Sequence, residues 1–236
     1  MWPRRKSNIV SVSINPQNLI LCWAQDNKKS KEIVIKSYKK EMLTSLEFEK
    51  SIVFNPTKIS NIISTFIKKQ AIGKPIISLA VAGPNVFEKI VNLPTSSPQK
   101  KDFAIPETHN INWNSRYLCP SLKSGFDFYV CGMSPENLFQ YKLLAIKSGN
   151  RLSCVTTERS ALLQLYKHVK KEAFTQGQLA IDLGKTNYDL KTFFTPNIIS
   201  NNITLDSKLA INLTEEIGNV ATSIGLFLLG NTICKI

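Results

Sequence analysis

The 236-residue chain is 43% hydrophobic and 20% charged, and its 30 Lys and Arg against 17 Asp and Glu leave a formal net charge of +13. That balance supports a packed core and excludes a disordered chain, a collagen-like repeat or a long coiled coil. The length suits one large domain or two small lobes.

Ile9 to Ile14 alternates β-branched residues with serine, Asn15-Pro16-Gln17-Asn18 supplies a turn, and Leu19 to Gln25 and Glu32 to Tyr38 follow. This reads as a three-stranded meander. Pro56 to Lys69 carries Ile59, Ile62, Ile63, Phe66 and Ile67 at helical spacing behind an N-terminal proline. Ile76 to Ala82 and Val86 to Asn92 read as strands flanking a Gly83-Pro84-Asn85 turn. Pro94 to Lys123 has no clear apolar period and is expected to be a short helix plus loops. Asp127 to Cys131 is a strand, Ser134-Pro135-Glu136 opens a helix that Gly149 stops, and Leu152 to Val155 is a further strand. Thr156-Thr157-Glu158 introduces a helix to about Lys171. Alternating elements of this length point to an α/β chain.

A strand-turn-strand pattern occurs twice, as Ser11 to Leu19 and as Ala180 to Tyr188. Such a recurrence after a helix-rich interval favours two similar lobes. Turns of this kind can cradle phosphate, because successive backbone N–H groups converge on an anion. In the second copy Asp182 would hold a hydrated Mg2+, Gly184 would admit the backbone and Thr186 would donate to a phosphate oxygen. The same D-L-G-K-T run is also an ordinary strand end and turn. The first copy has Ser13 in place of the acid and Asn15 in place of the glycine.

Lys outnumbers Arg 25 to 5, and 26 Ile and 20 Asn accompany it, a bias that AT-rich coding produces whatever the protein does. A dedicated phosphate binder would favour the planar fork of Arg. Residues 1–171 hold 26 basic and 11 acidic residues, and residues 172–236 hold 4 and 6. Solvated surface is the leading reading of that excess, ahead of attraction to an anionic membrane face or to nucleic acid.

Five scattered cysteines without a C-x-x-C and only two histidines, His109 and His168, give no expected metal site and suit a reducing compartment. Neither a secretory signal nor a run long enough to span a bilayer is expected. His168 reads as a partner for a helix C-terminus, and Trp113 and Phe126 as core residues that could also line a peptide pocket.

Several stretches together resemble the actin-like pilus-assembly proteins of the PilM family, and in length most of all the short HofM branch. They are Ile9 to Gln25, Leu79 to Pro94, Phe128 through Ala161-Leu162, Leu179 to Leu190, and Ala221 to Gly230. The resemblance implies an α/β, actin-like (ribonuclease H-like) two-lobed fold with an inserted small α+β subdomain and a truncated second lobe. Its expected divisions are 1–74 and 151–177 for the first lobe, 75–150 for the inserted subdomain and 178–236 for the second lobe. It implies a cytoplasmic protein, peripheral to the inner membrane, that binds the N-terminal cytoplasmic segment of a PilN/HofN-type membrane protein in pilus or DNA-uptake machinery. Only 28 residues (191–218) separate the second hairpin from the closing helix, with no glycine before Gly218, so the glycine-rich adenosine grip of full-length relatives is missing. With Ser13 and Asn15 in the first hairpin, the expectation is a pseudo-ATPase without cofactor or metal. Asp182, Gly184 and Thr186 are then a residual phosphate loop. An active ATP/Mg-binding protein of the same fold and a nucleic-acid-binding protein are the alternatives.

Overall fold

Period-two alternation at the start of the chain produces β1 (Ile9–Ile14), β2 (Asn18–Asp26) and β3 (Ile33–Met42), an antiparallel meander. The computed structural model describes residues 8–27, 32–105, 110–121, 124–170, 190–201, 203–209 and 211–233. A two-residue hairpin, β4 (Phe48–Glu49) and β5 (Ile52–Val53), leads into α1 (Pro56–Lys69), where Asn55 Oδ1 accepts from the Lys58 N–H (3.0 Å) and Pro56 opens the first turn. Next come β6 (Ile76–Val81), β7 (Phe87–Leu93), a single 3-10 turn at Lys100–Phe103, β8 (Asn112–Pro120) and β9 (Phe126–Met133). Helix α2 (Pro135–Lys147) is capped by Ser134. It ends where Gly149, at φ +73°, donates to Ile146 and Asn150 donates to Ala145, the paired bonds of a Schellman turn. Then follow β10 (Arg151–Thr157), α3 (Glu158–Val169) capped by Thr157, the short α4 (Pro196–Ser200), β11 (Ile203–Leu205) and α5 (Leu213–Ile233).

The main sheet has the order β10-β6-β1-β2-β3-β11, with β1, β6 and β10 parallel and β11 parallel to β3. One face packs Val10, Val12, Ile14, Ile77 and Leu79 against Ile59, Ile63 and Phe66 of α1 and Tyr141 and Leu144 of α2. The opposite face packs against α3 and α5. A separate antiparallel sheet, β7-β9-β8, has its own small core of Leu93, Phe103, Phe128 and Val130.

The face of β1 and β6 beneath α5 is built of small residues: Ser11, Ser13, Ser78 and Ala80 are all buried. The helix above answers in kind. A Cβ at Gly225 would land on the Ala161 carbonyl of α3, and one at Gly230 would strike the Ser78 hydroxyl. Ser11 Oγ donates to the Ser223 carbonyl (2.7 Å), joining residues 212 positions apart. The far end of α5 is tied to β3 by Glu216, which accepts from Lys40 Nζ (2.6 Å), Tyr38 Oη (2.7 Å) and Asn219 Nδ2 (2.7 Å). Among the described residues no helix is long and apolar enough to cross a membrane.

The expected meander, α1, the Gly83 turn, the Ser134 and Thr157 helix starts and the Gly149 stop all appear at their predicted places. The stretch expected to be a short helix plus loops differs. It holds the 3-10 turn, but also the nine-residue strand β8. A bulge between Tyr117 and Cys119 shifts its register, so Leu118 and Cys119 are buried side by side and no period-two signal survives in the sequence. The small sheet occupies residues 87–133, inside the span 75–150. The flanking β6 lies in the main sheet and α2 covers its face.

Replacing Gly225 with Ala is expected to cost about 1–3 kcal/mol, because α3 and α5 must part to admit the methyl group. A lower urea midpoint with an unchanged slope is the readout, and an unchanged midpoint would show that the helices are not in such close contact. For Glu216, burial raises the carboxyl pKa, but the bonds from Lys40, Tyr38 and Asn219 outweigh it and hold the group below its ordinary 4.5. A carboxyl depressed in the folded state adds stability above its unfolded pKa and loses it as pH falls through the folded one. The stability gap between wild type and Glu216→Gln, about 1 kcal/mol at neutral pH, is therefore expected to close as pH drops below 4.5. Denaturant titrations at several pH values check it.

Candidate functional site

Among the described residues, one place shaped to receive something is the end of the main sheet where β1 and β6 finish. A cavity of about 130 Å3 there is lined by Gly83, Glu88, Glu158, Arg159, Leu190 and Lys191, among others. Glu158 is the first residue of α3 and its side chain is only 8% exposed. It accepts from Ser13 Oγ at 3.1 Å and pairs with Lys191 Nζ at 2.6 Å. A helix N-terminus is a ready anion site, and here the chain's own carboxylate occupies the positive end of α3.

The first hairpin turn, expected to be degenerate as a phosphate cradle, is closed on itself. Asn15 Oδ1 accepts from the backbone N–H groups of Gln17 (3.2 Å) and Asn18 (2.9 Å), and the Asn15 N–H donates to the Asn18 carbonyl (3.0 Å). The amides that would converge on an anion are already bonded within the turn. Asp182, Gly184 and Thr186 lie outside the described residues, as does His109. Sequence reasoning overlooked Glu158 as the carboxylate beside the first hairpin. Its signal was slight, since a glutamate after Thr-Thr at a helix start reads as an ordinary first-turn acid.

A second place is a groove between the two sheets. Among the described residues β10 is the last strand at its edge of the main sheet, β8 is one of the two outer strands of the small sheet, and each contributes to the groove's walls. One half encloses about 280 Å3 between Trp113, Met133, Leu138 and Val155, and the other about 190 Å3 between Arg116, Tyr129, Cys154 and Leu229. Asn114, Cys131, Val155 and Thr156 border both halves. Trp113 therefore does both things expected of it: it lines the groove while its ring packs edge-on to Phe103 at 5.5 Å, under the Lys100 ammonium at 5.2 Å. Phe126 belongs to the small core, 6.3 Å from the Tyr117 ring.

The sheets are joined at the groove's floor by a chain of hydroxyl groups. The Ser160 N–H donates to Thr157 Oγ1 (3.1 Å), Thr157 Oγ1 and Tyr129 Oη share a short hydrogen bond, and Tyr129 Oη donates to Glu88 Oε1 (2.6 Å). Because Tyr129 spends its proton on Glu88, Thr157 must donate to Tyr129. Arg159 approaches the other Glu88 oxygen at 3.8 Å. Burial foremost, then Glu88, pushes the Tyr129 hydroxyl pKa far up, so it stays protonated as this role requires.

The smaller half of the groove is lined by one cation, Arg116. Arg116 donates to the neutral Gln164 Oε1 (3.4 Å), and burial lowers the pKa of its guanidinium. Lys167 is pulled down to about 8, by burial first and by Arg116 second. Burial pushes the Cys131 thiol up to about 11 and the Cys22 thiol up to about 12, so neither is a thiolate nucleophile at neutral pH. His168 stands in the last turn of α3, as expected. Among the described residues no three His, Cys, Asp or Glu side chains are grouped to hold a metal ion. The groove offers strand edges, an apolar pocket and a half-buried cation, which suit an extended peptide better than a small substrate.

No protein-family model matches the chain, and no curated protein sequence does either. Among solved structures it is similar to the PilM-PilN type IV pilus biogenesis complex at 12% identity and a TM-score of 0.67, over 97% of this chain and 99% of that one. Fainter likenesses are to the cytoplasmic domain of EpsL, an inner membrane component of the type II secretion system of Vibrio cholerae, and to the ethanolamine utilization protein EutJ from Carboxydothermus hydrogenoformans. The first has 12% identity, a TM-score of 0.40, and coverage of 66% of this chain and 57% of that one. The second has 10% identity, a TM-score of 0.34, and coverage of 70% and 41%. At such identity it is the fold that is shared, and the architecture of this chain is an actin-like α/β fold of the PilM type.

Proposed function

We propose that this chain is a non-catalytic adaptor in type IV pilus-like or DNA-uptake machinery, and that it belongs with the short HofM branch of PilM-like proteins. It works in the cytoplasm against the inner membrane. It holds the N-terminal cytoplasmic segment of a PilN/HofN-type membrane protein in the groove between β8 and β10. The observation that carries this reading is the pair of strands, each outermost in its sheet among the described residues, that border one groove, in a fold similar to that of a protein solved as a PilM-PilN complex. An extended peptide gains backbone hydrogen bonds from a strand edge while alternate side chains fill pockets.

Two features support the absence of turnover. The amides of the first hairpin are bonded to Asn15, and Glu158 with its Ser13 and Lys191 partners stands at the N-terminus of α3. A phosphate group brought there would be repelled by the Glu158 carboxylate, and the neighbouring cation, Lys191, is already paired with that carboxylate. We read residues 178–236 as the abbreviated remnant of a second lobe. Among its described residues, β11 extends the main sheet and α5 covers it.

Peptide binding is tested by calorimetry with the cytoplasmic N-terminal peptide of the membrane protein encoded beside this chain. Asn114 is exposed and borders both halves of the groove. Asn114→Arg is expected to weaken binding at least about tenfold, roughly 1.4 kcal/mol, with an unchanged melting temperature. No binding by the folded wild type removes the proposal. Titration with Mg-ATP is expected to give no heat of binding, and micromolar affinity abolished by Asp182→Ala would establish the active nucleotide-binding alternative instead.

A further inference from the structure

Because β1, β6 and β10 are parallel, they enter the main sheet at one end, and α1 and α2, which lead into β6 and β10, finish there. Cations collect at that end. Lys68 and Lys69 occupy the last turn of α1, Lys147 the last turn of α2, Lys74 precedes β6, and Arg151 opens β10. Arg151 pairs in register with Ile76, two residues beyond Lys74. Ser64 Oγ donates to the Ser148 carbonyl (3.3 Å), which sets the end of α1 beside the turn between α2 and β10. All five cations are exposed, and none takes part in an ion pair among the described residues. The chain also enters the fold here: the Asn8 carbonyl accepts from the Ile76 N–H (2.8 Å), and the preceding sequence contains Arg4-Arg5-Lys6. The acids closest in the topology, Asp26 and Glu32, accept from Asn231 (3.2 Å) and Thr204 (3.0 Å).

One apolar side chain stands in water beside these cations: Ile146, next to Lys147, is 65% exposed. The helix dipole accounts for lysines in the last turns of α1 and α2. It does not account for Lys74 or Arg151, which lie outside helices, or for a large apolar group left uncovered beside Lys147.

We infer that this end of the molecule docks on an anionic lipid surface, with Lys68, Lys69, Lys74, Lys147 and Arg151 against the headgroups and Ile146 pressed into the interface. Anionic lipid rewards each basic residue near the surface, and apolar side chains at the charged rim add the anchoring that charge alone lacks. A nucleic acid would use the same charges but would gain nothing from Ile146. None of these residues borders the groove, so the inference stands or falls separately from peptide binding.

The full chain is mixed with vesicles containing phosphatidylglycerol or with vesicles of phosphatidylcholine alone, and sedimented at low and at physiological ionic strength. Binding is expected only to the former. Neutralising Lys68, Lys69, Lys147 and Arg151 to Gln is expected to weaken it by about fivefold per charge, and Ile146→Ser by about tenfold. Replacing Lys89, on the small sheet, and Lys101, in the 3-10 turn, with Gln should leave it within about twofold of wild type by the same estimate. Each variant is checked for an unchanged melting temperature. Equal binding to both vesicle types, or a loss no greater for the four substitutions at this end than for the Lys89 and Lys101 pair, overturns the inference. So does failure to bind vesicles alongside retention of duplex DNA that Ile146→Ser leaves intact.

Discussion

How closely α5 can approach β1 and β6 decides most of what this chain becomes. Serine and alanine on the sheet and glycine on the helix remove the side chains that would hold the layers apart, and Gly225 lets α5 lie against the carbonyl of Ala161. That approach closes one face of the main sheet, seats α3 beside α5 and brings Leu229 to the floor of the groove. The opposite face is packed in the ordinary way, with large branched side chains from both partners, and it tolerates wider spacing.

Much of the fold is legible in the sequence because its strongest signals are local. Pro56, Ser134 and Thr157 announce helix starts through capping chemistry, Gly149 announces an end, and the Ile9 to Ile14 alternation announces a strand. Strand β8 was hidden because its bulge breaks the alternation that would have advertised it. The serines of β1 could be read as strand residues, but nothing local to Ser11 or Ser13 shows that a helix 212 residues away would bury one, or that a glutamate would bond the other.

The candidate site was legible in outline only. Order along the chain pointed to two hairpins and an inserted piece, yet the groove belongs to strand edges, and which strands are outermost is a property of the assembled sheets. Arg116 illustrates the difference. In the sequence it is one cation in an unpatterned stretch, whereas in the fold it faces a neutral glutamine inside a cavity and depresses a lysine on a neighbouring helix. The first hairpin shows the same limit, since Asn15 stood in the sequence only as a missing glycine, whereas in the fold its side chain accepts from the turn's own amides.

The hydroxyl chain from Ser160 through Thr157 and Tyr129 to Glu88 is also a mechanical linkage. Each hydroxyl has one proton and has spent it, so the chain has a fixed direction and no slack. Thr157 is at once the cap of α3 and the partner of the small sheet. Tension applied to the small sheet by a tethered occupant of the groove would bear first on the opening turn of α3, and the load would reach the body of the molecule at Glu158, where that helix meets β1.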